Sequence, residues 1–513
     1  MIGSSVKMLA KDLYTSNTRF VFELLQNADD NKYSRTNVSP FISFHIFSDT
    51  IVVQYNEDGF TPDNVAAICN VGKSTKKGAQ GYIGEKGIGF KSVFMVAYKV
   101  LIQSGDFSFY FQHRKKDSEM GMISPIWEEP DHPIPEALTT ITLFLHDSGG
   151  AASLAEQRQL ISEQFDKLQD TFLLFLKNIK NININFYDDN NKMTKNVIHT
   201  LESSTGASEA KLTKKITYFS NGVANMTEQS SRTFHISRHT VTGLEKNANR
   251  DYTAEEEAQR KYSTSEVVLA FPLAADSTPL VETQDVFTFL PLCTAGFSFL
   301  IQADFVTGAN RQDLVKTSAR NRGLRDGIAQ AFINAVLDFC NHPTLVYQWM
   351  RYLPDPSNLA FQGFWEKLVK KIQSLLASTP VLRPRNEGPL QPISSMRILR
   401  TGSIDKHGDP LWDDIDPPCY LSSKYARKDL KSLEPYGLQT LTMAQIIARA
   451  KADLRSPNSR MKTLEDEDWQ SRAAEILTLP FTQGRQDRIS ELRALKLIPL
   501  QGGRWESARK GNY

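Results

Sequence analysis

The sequence predicts an α+β protein: an N-terminal mixed domain, a second α/β domain and a mainly helical C-terminal region. Three observations carry this. Apolar residues recur at threes and fours through "VKMLAKDLYTSNTRFVFELLQNADD", residues 6–30, the period of a helix with a restart near 16–18. Two β-rich runs follow, "FISFHIF" and "TIVVQYN", and Ser48 and Asp49 between them make a hairpin. From about residue 346 helical patterns dominate, interrupted by proline-rich breaks such as "STPVLRPRNEGPLQP".

The intervening elements are read in order. "TPDNVAAICNVG" is a helix opened by Thr61 and Pro62. A glycine-rich region leads into the apolar stretch "SVFMVAYKVLI", and "FSFYFQH" and "TTITLFL" are strands. "LISEQFDKLQDTFLLFLKNI" has the pattern of an amphipathic helix, and "NININFY" alternates as a strand. Residues 1–190 therefore form the first domain. A polar stretch at 202–264 with a charged excursion, "EKNANRDYTAEEEAQRKY", carries weaker patterns. Strands return in "EVVLAFPL", "DVFTFLPL" and "FSFLIQADF", and a helix in "LRDGIAQAFINAVLDF", which makes 191–345 a second domain with a polar insertion. Residues 346–513 carry no chemistry that their motifs reveal, and "LKLIPLQGGRWESARKGNY" reads as a strand opening an unfinished unit.

Bulk composition excludes several classes. At 513 residues with 40% apolar and 10% aromatic residues the chain can bury sizeable cores, so it is not a disordered protein. Sixty Lys and Arg against 58 Asp and Glu leave a charge of +2, which speaks against nucleic acid or an anionic membrane as partner. The four cysteines, Cys69, Cys293, Cys340 and Cys419, are dispersed and fit a reducing compartment. No apolar run reaches the roughly 18 residues of a membrane span, and no secretory pattern opens the chain, so the expectation is a soluble intracellular protein, cytoplasmic or nuclear.

Two glycine-containing runs compete as phosphate cradles. "NVGKST" imitates the end of a P-loop, but the first glycine of that motif is replaced by Ala67 and a helix precedes it where a strand is needed. It reads as loop. "GYIGEKGIGFKSVF" instead offers Gly84, Gly87 and Gly89 just before an apolar run, where close backbone approach and helix-start N–H groups suit an anion. Upstream, Glu23 and Asn27 stand four apart on one helical face with Asp30 near it. An amide oxygen there suits a hard cation such as Mg²⁺, and a carboxylate suits orienting a water. "NEDGF" adds a carboxylate after a strand, and "LTTITL" adds Thr139 at the head of another. Each piece alone is ordinary surface or turn chemistry.

Together, in this order, "ELLQNADD", "NEDGF", "IGEKGIGFKSVF" and "LTTITL" resemble the four boxes of the ATPase domain shared by gyrase, ninety-kilodalton heat-shock chaperones, histidine kinases and MutL, the GHKL superfamily. Within it, "DLYTSNTRFVFELLQNADDN" and "NEDGFTPDNVAAICNVGKSTKKGAQGYIGEKGIGFKSVF" are most similar to the sacsin and No Vein group, a resemblance covering most of residues 8–145. It implies a Bergerat-type α/β sandwich over 1–190, with ATP and Mg²⁺ as cofactors. It implies Glu23 as the base acting on water, Asn27 as the Mg²⁺ ligand, Asp30 in support, and Gly84, Gly87 and Gly89 around the phosphates. It places Thr139 near the adenine and "NVGKST" in the lid between the second and third boxes.

The second box departs from the superfamily's D-x-G-x-G. Counting back from Gly59 puts Glu57 at the adenine-binding aspartate and Thr61 at the second glycine, leaving Glu57 and Asp58 as alternatives for the base. In the heat-shock chaperones a second-domain arginine reaches the γ-phosphate, and "ADFVTGANRQDL" puts Arg311 in a comparable place. The resemblance thus implies a chaperone-like ATPase acting on client or partner proteins. Three alternatives remain. Glu23 argues against a histidine kinase, and near-neutral charge and Arg311 in place of a lysine argue against a DNA-processing ATPase. Glu57 keeps open a nucleotide-binding scaffold without turnover. Members of the group are often much longer, so a fragment, a short paralogue and an incomplete gene model are all readings of this length.

Overall fold

The expected hairpin forms. Strands β1 (Phe41–Ile46) and β2 (Thr50–Tyr55) pair antiparallel from Ile42↔Tyr55 to Ile46↔Ile51. Along β2 the buried residues alternate, Ile51, Val53 and Tyr55, so one face turns to the core. The structure, a computed structural model, describes residues 19–69, 89–114, 119–146, 150–166, 168–203, 208–247, 252, 257–308, 313–358, 361–501 and 503–510. It divides into two units, Met1–Ala335 with Asn358–Leu368, and Val336–Ser357 with Val369–Tyr513. Among the described residues no helix is long and apolar enough to cross a membrane.

The first unit is built on one mixed sheet. After β1 and β2 come β3 (Ala97–Ser104), β4 (Phe107–Gln112), β5 (Ile126–Trp127), β6 (Thr139–Leu145), β7 (Asn181–Tyr187), β8 (Met193–Glu202), β9 (Glu209–Ser220), β10 (Val223–Val241), β11 (Ser265–Leu273), β12 (Asp285–Thr288), β13 (Leu290–Thr294) and β14 (Leu300–Gln302). Their spatial order is β13-β12-β14-β11-β10-β9-β8-β7-β1-β2-β6-β3-β4-β5. The pairs β1–β7 and β12–β14 are parallel, and the rest are antiparallel. With the helices this makes the unit α+β, as expected.

Helix α1 (Arg19–Asp29) packs Phe20, Val21, Leu24, Leu25 and Ala28 into the core below the sheet. Its last residue holds it in place. The buried Asp29 carboxylate accepts from the backbone N–H groups of Lys177, Asn178 and Ile179 at 2.8, 2.7 and 2.9 Å. The Asn178 amide returns a bond to the Asp29 carbonyl at 2.7 Å. This clamp joins the end of α1 to the start of β7.

It also corrects an expectation. The helix expected across "LISEQFDKLQDTFLLFLKNI" is instead α3 (Gly150–Asp166), followed by a 3₁₀ turn over Asp170–Phe175, after α2 (Pro62–Cys69) earlier in the chain. A helix running to 179 would consume the three N–H groups that Asp29 takes. Thr171 to Phe175 are also buried on every side, where an amphipathic helix needs one wet face.

Two further corrections concern strands. The weakly patterned 202–264 stretch is largely the β9–β10 hairpin, pairing from Glu209↔His235 to Ser220↔Val223. Asn221 (φ 54°) and Gly222 (φ 80°) make the two-residue turn, the signature of a type I′ hairpin. "DVFTFLPL" is two strands rather than one: Phe289 takes φ 62°, and β12 folds back on β13. The helix expected from "LRDGIAQAFINAVLDF" is present within α4 (Ala319–Phe339).

Among its described residues the second unit mixes helices with three two-stranded sheets, Pro380–Leu382 with Gln391–Pro392, Arg397–Ile398 with Gln439–Thr440, and Lys496–Pro499 with Trp505–Ser507. The strand expected in "LKLIPLQGGRWESARKGNY" pairs with a second one as a hairpin, and helices cover more of the unit than these short strands do. Leu411, Trp412, Ile446, Ala450, Trp469 and Ile476 form its core. The helix Met443–Arg455 starts at a capping box, Thr442 with Gln445. Buried Arg449 pairs with Asp414 and lies 4.7 Å over the Tyr420 ring.

Asp29→Ala is expected to lower the unfolding free energy by on the order of 3 kcal/mol, because three buried donors lose a charged acceptor. Asp29→Asn, which keeps one acceptor, should lose less. Urea unfolding of the two variants against wild type measures both.

Candidate functional site

The residues that the sequence grouped by resemblance fall into three sets. In α1 Glu23 is buried and Asn27 half-buried, and Asp30, the residue after the helix, is buried. The helix runs into a loop that reaches the second box: Asp58 N–H donates to the Lys32 carbonyl at 2.9 Å, and the Tyr33 hydroxyl donates to the Ala28 carbonyl at 2.7 Å. Burial raises the Tyr33 pKa, and the charges of Glu57, Asp29 and Asp58 raise it further, so its proton stays. The C-terminal end of α1 and the box "NEDGF" are thus neighbours.

The second set is a row across three strands. In sheet order β2, β6 and β3 adjoin, and Tyr55↔Thr139 and Ser104↔Thr139 are register partners. Core-facing positions on these strands are apolar until their ends, where Thr139 and Ser104 stand, both wholly buried. Glu57, two residues past Tyr55, continues the same face. The Thr139 hydroxyl donates to Glu57 Oε1 at 2.5 Å. Ser104 Oγ bonds Thr139 Oγ1 and accepts from the Phe60 N–H at 2.9 Å. Asp58 turns the other way, accepting from the Ser34 hydroxyl at 2.5 Å and the Arg35 N–H at 2.7 Å. Burial is the largest single influence on Asp58 and raises its pKa, but the bonds from Ser34 and Arg35 and the Arg35 charge together hold it below the usual carboxylate range. Gly59 has φ 94°, and a Cβ there would lie 3.4 Å from the backbone of Gly105, itself at φ 59°. Glycine is needed on conformational grounds at both.

The third set is only partly visible. Gly84, Gly87 and "NVGKST" lie outside the described residues, and Gly89 opens a 3₁₀ turn over Gly89–Met95. Arg311 also lies outside them. Its flanks are anchored: Thr307 bridges Leu314, and Gly308 N–H donates to the Asp313 carbonyl at 2.8 Å. Asn321 grips Val306 from both sides at 2.8 Å, and buried Arg320 pairs with Asp304 at 2.7 Å.

Three side chains here escaped the sequence reading: Asp29, Ser104 and Lys91. Lys91, inside "GFKS", is buried, and its ammonium donates to the carbonyls of Ile68 at 2.7 Å and Met122 at 2.5 Å and lies 4.6 Å from the Phe111 ring. It joins the end of α2 to the turn after the glycine run. A lysine between glycine-run and apolar residues was the only available signal.

Residues 7–112 match the family model of the Sacsin domain. Over 99% of its length the chain is 28% identical to Protein NO VEIN of Arabidopsis thaliana, of which it covers 18%. In these stretches the chain is similar to members of the sacsin and No Vein group. Glu23, Asn27, Asp30, Glu57, Asp58, Lys91 and Ser104 lie within the matched residues, whereas Thr139 is beyond them. Sacsin of Homo sapiens is 37% identical over 94 residues, 16% of this chain and 2% of that protein. Chaperone protein HtpG of Sulfurovum sp. (strain NBC37-1) is 28% identical over 125 residues, 19% of this chain and 20% of that protein. The chain thus covers a fifth or less of each relative.

Burial of Lys91 lowers its pKa to about 8 from 10.5, with the Cys69 thiol pulling it back up. Between those values the unfolded chain holds a proton that the folded chain has released, so folding is favoured as pH rises; below 8 both states are protonated and the contribution is flat. Against Lys91→Met, wild-type stability should therefore gain at most on the order of 3–4 kcal/mol from pH 8 to 10.5, the full shift at about 1.4 kcal/mol per unit. Chemical denaturation of both proteins at a series of pH values measures the difference.

Proposed function

We propose that residues 1–190 are a Bergerat-type nucleotide domain that binds ATP with Mg²⁺ and hydrolyses it slowly, within a chaperone-like protein acting on client or partner proteins. In this reading 191–345 is the middle-type domain that closes with the lid on the nucleotide, and 346–513 carries a separate role. The observation that carries the proposal is the buried contact between Glu57 and Thr139, 82 residues apart in sequence. These are two residues that the resemblance assigns to the adenine. An ionised carboxylate accepts and cannot donate, which fits an exocyclic amine. The outward bonds of Asp58 favour Glu57 over it for this task. The likeness of one stretch to Chaperone protein HtpG supports the chaperone-like part.

Each residue then has a task. Glu57 and Thr139 hold the base, with Gly59 keeping the backbone close. Asn27 presents its amide oxygen to Mg²⁺, which supplies charge neutralisation at the phosphates. Backbone N–H groups around Gly84, Gly87 and Gly89 face the phosphates. Glu23 orients a water toward the γ-phosphorus and takes its proton as the bond to the bridging oxygen breaks. Arg311 stabilises the charge that develops on the transferred group.

Glu23→Ala should keep ATP affinity within a few-fold and lose roughly 100-fold or more in phosphate release, the usual scale of a general base. Asn27→Ala should lose Mg²⁺-dependent binding. Titration calorimetry and a phosphate-release assay on the full chain decide: no ATP–Mg²⁺ binding by wild type ends the nucleotide reading, and binding without release leaves a scaffold. Arg311→Ala should slow turnover with affinity unchanged; an unaltered rate removes the arginine from the mechanism.

A further inference from the structure

The Glu57–Thr139 pair does not stand alone. Each hydroxyl in the row has one proton to give. The Thr139 hydroxyl spends its proton on Glu57 Oε1 at 2.5 Å, the bond a carboxylate accepts. Thr139 then has none for Ser104, so Ser104 must donate to Thr139 Oγ1. Ser104 is free to do so because its own acceptor side is taken by the Phe60 N–H at 2.9 Å. The chain of bonds runs in one direction, from the Phe60 backbone through Ser104 and Thr139 to Glu57. With Ser104 and Thr139 wholly buried, no solvent can replace a missing link. Turning the row round would take from the Ser104 proton its Thr139 acceptor and require a protonated Glu57.

We propose that Ser104 is a positioning residue for base selection: through Thr139 it keeps Glu57 an acceptor, so that the site takes a 6-amino purine and rejects a 6-oxo purine. A 6-oxo purine brings a carbonyl to an oxygen that cannot donate, and the mismatch is costly in a buried site. The Gly59–Gly105 approach serves the same end, because Gly105 follows Ser104 and Gly59 precedes Phe60, and their contact brings the two ends of the first bond together. The inference rests on the nucleotide reading above.

The test is the ratio of dissociation constants for ATP and inosine triphosphate, measured by titration calorimetry with Mg²⁺ on the full chain. Wild type should prefer ATP. Ser104→Ala should weaken ATP by up to about tenfold, because the bond from Glu57 to the base loses its support, and leave inosine triphosphate nearly unchanged, so the ratio falls. Ser104→Cys keeps the volume with a weaker donor and should fall between; it decides the matter if the alanine variant does not fold. A ratio equal to wild type in either folded variant overturns the role of Ser104 while leaving ATP binding intact. A wild type that binds neither nucleotide overturns the nucleotide reading and this inference with it. A purely structural Ser104 would lower the melting temperature and weaken both nucleotides alike, which also overturns it.

Discussion

The Asp29 carboxylate is the constraint on which the first unit depends. It is buried at the end of α1 and satisfied by three consecutive backbone N–H groups. A charge taken out of water is tolerable only with such partners, and the partners are fixed by where β7 begins. The clamp therefore sets how far α1 extends along the sheet. Because the chain leaves α1 directly into the loop of Lys32 and Tyr33, it also sets where the second box can lie. Glu23 and Asn27 inherit their positions from a residue that has no part in the proposed chemistry.

The row Glu57, Thr139 and Ser104 shows how an apolar sheet makes a polar site. Along β2, β6 and β3 the core-facing positions are hydrophobic, and polarity appears only where the strands end. The site thus has a dry floor and a short, directed polar edge, the arrangement in which one hydrogen bond counts for most. Lys91 follows a related logic on the neighbouring turn, where two carbonyls and an aromatic ring hold an ammonium in the core.

Local patterns explain what the sequence made legible. β1, β2, α1 and the order of the boxes follow from alternation, helical period and glycine spacing, all short-range signals. Asp29 and Asp30 show the limit. Helical period placed Asp30 beside Glu23, but which of two adjacent aspartates is clamped depends on partners about 150 residues away. Ser104 ends a strand like many serines, and only the register with Thr139 gives it a role. The β9–β10 hairpin was missed for a different reason: Val223 to Arg232 are exposed on both faces, so no alternation marks them, and Asn221-Gly222 was the one cue. "LISEQFDKLQDTFLLFLKNI" misled because helical period persists through residues that the fold buries on all sides.

Strand β10 is longer than its neighbour. β11 pairs with it only from Thr233 to Val241, so among the described residues Val223 to Arg232 has β9 on one side and no strand on the other. Such a margin invites accretion of further chains, the route by which sheets grow into fibrils. The protection is written into the same ten residues. The register shift between Ala224 and Met226 disrupts the ladder, and Glu228 and Arg232 charge it, while Val223 and Met226 would otherwise offer an adhesive rim. These ten residues thus guard against self-association at a place far in sequence from the proposed nucleotide chemistry.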